Sequence, residues 1–129
     1  MPEGFKQLKT WQIGYELLME LYEETSKYPD WEKYSLTQQT VRSGNSVIAN
    51  IAESHGRYYY LDKIRVLYIA RGEAEETQSH LSVARGREYI SEEKYQDLFN
   101  RYESLIIKIN EQIRYLRSKT NEKNNKQEN

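Results

Sequence analysis

Apolar and small residues recur every three or four positions along four successive stretches of the chain, the spacing typical of amphipathic helices. The first helix is predicted to run from about Leu8 to about Lys27 and to end before Pro29, because the residue preceding a proline disfavours helical backbone. The residues expected to face the core have the spacing of a bundle seam. They are Leu8, Trp11, Tyr15, Leu18, Tyr22 and Thr25.

The second helix is predicted to begin near Ser35 and to continue to about Arg57. Ser35 and Gln38 have the spacing of a capping box, in which the two side chains satisfy backbone N–H groups at the helix start. One face of this helix carries mostly small side chains, which permits a neighbouring helix to approach closely. That face consists of Leu36, Thr40, Ser43, Gly44, Val47 and Ile51.

The third helix is predicted from about Leu61 to Arg87, and small residues again dominate one face. These are Ala70, Ala74, Thr77 and Ala84, alternating with Leu67 and Leu81. Helices two and three are therefore expected to pack closely against each other. Roughly 27 residues at 1.5 Å each make a rod of about 40 Å, so the domain is expected to be a long bundle.

Ser91 is the predicted N-cap of the fourth helix, which has the strongest amphipathic pattern in the chain. Its apolar positions are Tyr95, Leu98, Phe99, Tyr102, Leu105, Ile106, Ile109, Ile113 and Leu116. From Ser118 onward no apolar residue occurs, so residues 118–129 are expected to form a disordered polar tail after a domain of residues 1–117. The chain is thus predicted to be all-α, an antiparallel up-down-up-down four-helix bundle, and 129 residues suit one domain.

Composition narrows the functions open to such a bundle. The chain has no cysteine, which excludes disulfides and thiolate metal sites. Its formal charge of −1 argues against a protein whose whole surface binds a phosphate backbone. Because neither a long apolar run nor an apolar leader segment occurs, we expect a cytoplasmic protein that does not enter a membrane.

Cationic residues concentrate around the third helix and form the candidate nucleic-acid-binding set. The set consists of Arg57, Lys63, Arg65, Arg71, Arg85 and Arg87. Charge runs of this size are more often simply the solvated face of a helix, and that alternative stays open.

Asn50 and Glu53 are polar residues among small and apolar neighbours in the second helix. We expect them to be structural and to fix helix register through bonds to a neighbouring helix, with Arg57 or Arg65 as the partner of Glu53. A functional polar cluster is the alternative, although no further catalytic group converges on them.

Two patterns have the spacing of catalytic motifs but lack the partners that those motifs need. Ser91 and Lys94 have a serine-x-x-lysine spacing, yet they precede a helix, where a serine is far more often a cap. Glu76 and His80 are not repeated, whereas a two-metal site in a bundle needs Glu-x-x-His pairs from two helices. We therefore predict no catalytic, metal or cofactor site, which leaves a carboxylate-metal enzyme as the least favoured function.

Two segments of the chain carry residues at the spacing of a family signature. The first is Phe5-Lys6-x-Leu8-Lys9-x-Trp11-Gln12, and the second runs from Ser46 through Asn50-Ile51-Ala52-Glu53 and Gly56-Arg57 to Arg65-x-Leu67-Tyr68-Ile69-Ala70-x-Gly72. They resemble the 23S rRNA intervening-sequence protein family, to which the accessory proteins of diversity-generating retroelements are related. With the long fourth helix, the resemblance covers most of residues 5–117. Ile48, Ser54 and Lys63 depart from the proline, glycine and aromatic residue that members often have there.

The resemblance implies a small four-helix bundle that is not an enzyme and that acts through protein or nucleic-acid interaction. An alternative implied by the retroelement relatives is a protein that binds RNA or DNA and assists a reverse transcriptase. Those relatives also imply a ring-like homo-oligomer, a pentamer. They are strongly basic, whereas this chain carries a formal charge of −1.

Apolar residues spread around two helices beyond a single core-facing stripe. They are Trp11, Tyr15, Leu17, Leu18, Leu21 and Tyr22 on the first helix and Ile106, Ile107 and Ile109 on the fourth. An exposed apolar band along a rod more often marks a subunit interface, so a homo-oligomer is expected on physical grounds as well. The alternative is a monomer in which tyrosine hydroxyls and the stems of Lys and Glu cover the band.

Overall fold

Four long helices account for nearly all of the structure, a computed structural model that describes the backbone of residues 4–128 and the side chains of residues 4–123. Two short 3-10 turns, Gly4–Gln7 and Asp30–Glu32, precede the first and second helices. The helices are α1 (Lys9–Thr25), α2 (Leu36–Gly56), α3 (Tyr60–Gly86) and α4 (Glu92–Glu128). No strand occurs between residues 4 and 128, which confirms the all-α prediction.

Each helix contacts two neighbours, because α1 packs against α2 and α4, and α3 packs against α2 and α4. Near the start of α1, the Thr10 hydroxyl donates to Oε1 of Gln112 in α4 at 3.2 Å. Near the start of α4, Nζ of Lys94 donates to Oε1 of Glu20 in the second half of α1 at 3.0 Å. These contacts show that α1 and α4 are antiparallel. The short α2–α3 connection makes α2 and α3 antiparallel as well, so the up-down-up-down bundle is confirmed.

The small-residue faces of α2 and α3 lie against each other in the core. Every residue predicted for these two faces is buried. The hydroxyls of Ser43 and Thr77 lie 2.7 Å apart, so each helix satisfies a buried polar group of the other. The prediction that these two helices pack closely is therefore confirmed.

The predicted core face of α1 is wrong at its two tyrosines. Tyr15 is 44% exposed and Tyr22 is 52% exposed. The buried positions are instead Thr10, Gly14, Leu17, Leu18, Leu21 and Thr25. A Cβ atom added at Gly14 would lie only 2.5 Å from Cγ2 of Ile48, so α1 is turned to place its glycine, rather than an aromatic ring, against α2.

The start of α2 is capped differently from the prediction. The Ser35 side chain makes no capping bond, so the predicted Ser35–Gln38 capping box is wrong. Instead, Oε1 of Glu32 accepts from the backbone N–H of Leu36 at 3.3 Å, because the preceding 3-10 turn carries Glu32 to the helix start. The predicted cap of α4 is confirmed, since the Ser91 hydroxyl accepts from the backbone N–H of Lys94 at 3.1 Å.

Beyond the last apolar residue, Leu116, the helix continues where disorder was predicted. The backbone of α4 is helical to Glu128, so residues 118–128 are polar as expected but not disordered, and Asn129 lies outside the described residues. Neither glycine nor proline interrupts this run, and its Lys, Gln and Glu residues are good helix formers. No apolar side chain in the run can add to the core, so the domain boundary at residue 117 stays a prediction.

A cluster of ion pairs joins α1 to α4. Glu20 contacts both Lys94 and Arg101. The hydrogen bond from Arg101, with help from Lys94, lowers the pKa of Glu20 below its usual value. A carboxyl whose pKa is lower in the folded state stabilises the fold above its unfolded-state pKa, and this contribution is lost as the pH falls through the folded-state pKa.

Candidate nucleic-acid interface

The six predicted cations do not form one patch. Arg57, Lys63 and Arg65 lie where α2 ends and α3 begins, whereas Arg85 and Arg87 lie where α3 ends. At 1.5 Å per residue, the helix carries residues 63 and 87 about 36 Å apart. The set therefore divides between opposite ends of the bundle, which corrects the sequence-based grouping.

Three of these cations bond to a neighbouring helix, and a fourth, Arg57, is paired with Glu53. Nζ of Lys63 donates to the backbone carbonyl of His55 at 2.8 Å, so it satisfies an unpaired carbonyl at the end of α2. Nε of Arg85 donates to Oε2 of Glu92 at 2.7 Å and ties α3 to α4. Arg71 donates to Oδ1 of Asn110 at 2.8 Å. These contacts hold helix ends and neighbouring helices together, so the three side chains are less free to bind a ligand than exposed cations are.

Among the described residues, neither Asn50 nor Glu53 makes a side-chain bond to another helix. The side-chain amide of Asn50 donates to the backbone carbonyl of Ser46 at 2.8 Å and to its hydroxyl at 3.1 Å, both within α2. Glu53 pairs with Arg57 at 2.7 Å, one turn further along the same helix, rather than with Arg65. Of the two predicted partners for Glu53, Arg57 is therefore the observed one, and the predicted role in fixing helix register is wrong.

Charge is segregated along the long axis of the bundle. The half that contains the start of α1, the end of α2, the start of α3 and the end of α4 is called the basic end (residues 4–14, 47–72 and 108–123). It has eleven cations and four carboxylates. The cations are Lys6, Lys9, Arg57, Lys63, Arg65, Arg71, Lys108, Arg114, Arg117, Lys119 and Lys123, and the carboxylates are Glu53, Asp62, Glu111 and Glu122.

The other half is called the acidic end (residues 15–46 and 73–107). It has seven cations, which are Lys27, Lys33, Arg42, Arg85, Arg87, Lys94 and Arg101. Its fourteen carboxylates are Glu16, Glu20, Glu23, Glu24, Asp30, Glu32, Glu73, Glu75, Glu76, Glu88, Glu92, Glu93, Asp97 and Glu103. The two ends thus differ in formal charge by fourteen, from +7 to −7.

This separation explains how a chain with a formal charge of −1 can present a cationic surface. Salt screens charges beyond about 8 Å at physiological ionic strength. A helix of 27 residues is about 40 Å long, so an anion at the basic end feels little of the acidic end. The local charge, and not the net charge, therefore decides what each end attracts.

Several cations of the basic end point to solvent without a carboxylate nearby. No carboxylate of a described residue lies within ion-pair distance of Lys9, Arg65 or Arg114, and all three are exposed. Lys9 and Arg114 come from α1 and α4, which segment-by-segment charge counting overlooks. The sequence reveals this concentration of cations only when the charges of the four helices are grouped by the end of the bundle at which they lie.

Two clefts open at the basic end. One, of about 330 Å³, is lined by Phe5, Ala49, Ala52, Glu53, Gly56 and Arg57, so it joins residues from both signature segments. The other, of about 320 Å³, lies between the start of α1 and the end of α4, and Lys9, Lys108 and Tyr115 contribute to its walls. The basic end therefore combines cations with concave, partly apolar surface.

Other candidate chemistry is sparse in the part of the chain that the structure describes. Nε2 of His80 lies 3.2 Å from Oε2 of Glu76, which also contacts Arg42. Among the described side chains, no three His, Asp, Glu or Cys groups cluster as metal binding would require. None of the described helices combines the length and the apolarity needed to cross a membrane.

The fold and the site define an antiparallel four-helix bundle with oppositely charged ends. A family model described as 23S rRNA-intervening sequence protein matches residues 6–111, so the chain belongs to that family. The bundle is also similar to the crystal structure of a protein of unknown function from the S23 ribosomal protein family of Bacteroides thetaiotaomicron. The TM-score is 0.75 at 26% sequence identity, and the match covers 81% of this chain and 95% of that chain. A search of curated proteins finds no match.

Proposed function

We propose that this protein acts by binding RNA at its basic end and is not an enzyme. The observation that carries the proposal is the collection of eleven cations against four carboxylates on one half of the bundle. Phosphate contacts supply most of the affinity of non-specific nucleic-acid binding, and long Lys and Arg side chains make such contacts. The family description, which names a sequence within 23S rRNA, supports RNA as the ligand. The proposal carries with it a cytoplasmic location, where cellular RNA is available.

The proposal predicts RNA binding that falls steeply as salt is added. Each phosphate contact releases counterions, with a slope in log K against log salt of about −0.7 per contact for a single strand. Seven uncompensated cations then set a limit of about −5. Fluorescence anisotropy of a labelled RNA, titrated between about 50 mM and 200 mM salt, measures this slope. Absence of binding at the lowest salt would contradict the proposal.

A second proposed property, self-association, rests on exposed apolar surface along α1 and α2. An open groove of about 510 Å³ runs beside the end of α1 and the start of α2, and its lining includes Tyr22, Thr25, Tyr34, Thr37 and Val41. Tyr15 continues this surface along α1. On α3 and α4, Ile69 and Ile107 are also exposed. A ring of identical subunits can cover apolar surface on every copy, and the family resemblance implies that the ring has five members.

Size-exclusion chromatography with light scattering tests self-association. We expect a mass several times the 15.5 kDa of one chain, and five times that mass for a pentamer. Tyr22→Glu with Tyr34→Glu should shift the protein toward the monomer, because two carboxylates would be buried without partners. Tyr115→Glu, at an exposed tyrosine outside the groove, is the control and should leave the mass unchanged. A monomer at micromolar concentration in the wild type would contradict assembly.

A further inference from the structure

Three consecutive tyrosines lie exposed at the turn between α2 and α3, and the last of them, Tyr60, is the first residue of α3. Tyr58 is 84% exposed, Tyr59 is 62% exposed and Tyr60 is 38% exposed. The rings of Tyr58 and Tyr59 meet edge to face, with centroids 5.0 Å apart. The backbone at Arg57 and Tyr59, on either side of Tyr58, is extended, so helix packing does not force these rings outward. Other tyrosines of the chain are exposed too, such as Tyr34 at 79%, but only at this turn are three exposed rings consecutive.

The surroundings of this turn are cationic. Arg57, Lys63 and Arg65 flank it, and they outnumber the two nearby carboxylates, Asp62 and Glu53. Tyr68, further along α3, stacks under the guanidinium of Arg71, with 4.7 Å between the guanidinium carbon and the ring centroid, and accepts a hydrogen bond from Arg117 at 2.9 Å. Aromatic rings interleaved with cations thus continue from the turn along the basic end. A protein partner would need an acidic surface to match these charges, whereas a nucleic acid supplies phosphates and ring faces together.

We infer that the Tyr58–Tyr60 turn is a stacking platform for single-stranded RNA. The inference rests on the proposed function and deepens it by naming the form of RNA that the basic end recognises. Unpaired bases stack on the tyrosine rings, while Arg65 and the other cations of the basic end without an ion pair among the described residues contact the phosphates on either side. A duplex keeps its bases stacked on each other and offers only phosphates, so it gains nothing from the rings.

Removing the two most exposed rings tests this inference. The probe is a labelled single-stranded RNA of roughly 16 nucleotides without self-complementarity, used alone and annealed to its complement. Tyr58→Ala with Tyr59→Ala should weaken single-strand binding by roughly 10- to 100-fold, since one stacked base is worth about 1–3 kcal/mol. Duplex binding and the salt slope should not change. Tyr58→Phe with Tyr59→Phe is the matched control, and it should bind as the wild type does because both rings remain.

The outcomes separate this inference from the proposal on which it rests. If the wild type binds neither single strand nor duplex at low salt, the proposed function fails. If the wild type binds RNA but the double alanine variant binds the single strand equally well, the stacking platform alone is overturned. A loss with both the alanine and the phenylalanine variants would also overturn it, because the hydroxyls rather than the rings would then carry the affinity. Circular dichroism should show unchanged helix content in both variants, since neither side chain contributes to the core.

Discussion

Replacing Gly14 by alanine is expected to lower the free energy of unfolding, although alanine is the better helix former. The new Cβ would lie 2.5 Å from Cγ2 of Ile48, and a buried β-branched side chain cannot rotate this methyl group away at low cost. Overpacking of a core typically costs about 1–3 kcal/mol. The gain in helix propensity of up to about 1 kcal/mol offsets only part of this.

Gly72→Ala is the matched control, because it makes the same chemical change in the middle of another helix. Apart from the adjoining backbone of its own helix, no atom of a described residue lies within 4 Å of a Cβ added at Gly72. We therefore expect this variant to be more stable than the wild type by about 0.5–1 kcal/mol. Urea unfolding at one fixed protein concentration compares the two variants, and equal stabilisation by both would contradict the close contact between α1 and α2.

Ile48→Ala adds a second control for the same contact. The substitution removes Cγ2, so the clash with a Cβ at residue 14 disappears and the two changes should be coupled. In this background, Gly14→Ala should no longer destabilise the protein. A double-mutant cycle with a coupling energy near zero would show that the contact does not limit the packing of α1 against α2.

The fold could be predicted from the sequence where small residues define a helix face. On α2 and α3, no other face would bury more apolar area than the face that carries residues such as Gly44 and Ala74. The pattern therefore predicts the buried contact between the two helices. On α1 the apolar residues lie all around the helix, and in the structure Leu17 and Leu21 are buried whereas Tyr15 is exposed. A leucine buries its whole side chain, whereas a tyrosine keeps a hydroxyl that needs water or a partner. The hydrophobic periodicity of α1 alone therefore does not predict which of its apolar residues enter the core.

The candidate site could be predicted only in part, because it depends on which helix ends lie together. Arg57, Lys63 and Arg65 are neighbours in the sequence and remain neighbours in the structure. Lys9 and Arg114 are more than a hundred residues apart in the chain and reach the same end through the antiparallel packing of α1 and α4. The cap at Glu32 cannot be predicted for a related reason, since the 3-10 turn that carries this carboxylate to α2 has no strong signal in the sequence.

Reversing three exposed charges at the basic end should nearly abolish RNA binding. The variant combines Lys9→Glu, Arg65→Glu and Arg114→Glu, which removes three cations and adds three carboxylates from three different helices. We expect affinity to fall at least about 100-fold, equivalent to about 3 kcal/mol. The slope in log K against log salt should become shallower by about 2, because three phosphate contacts are lost.

The control carries the same change in net charge at the acidic end, through Lys27→Glu, Lys33→Glu and Arg87→Glu. One of its residues, Arg87, belongs to the predicted nucleic-acid-binding set. The structure places Arg87 about 36 Å from Lys63. Screening over that distance should leave RNA affinity within roughly threefold of the wild type. Both variants should keep the helix content of the wild type.

The comparison of these two triple variants by fluorescence anisotropy, with one labelled single-stranded RNA at about 50 mM salt, tests the basic-end interface most directly. We expect the basic-end variant to lose at least about 100-fold in affinity and the acidic-end variant to bind nearly as the wild type does. Equal losses in both variants would mean that net charge alone governs binding, and that result would contradict a binding surface at the basic end.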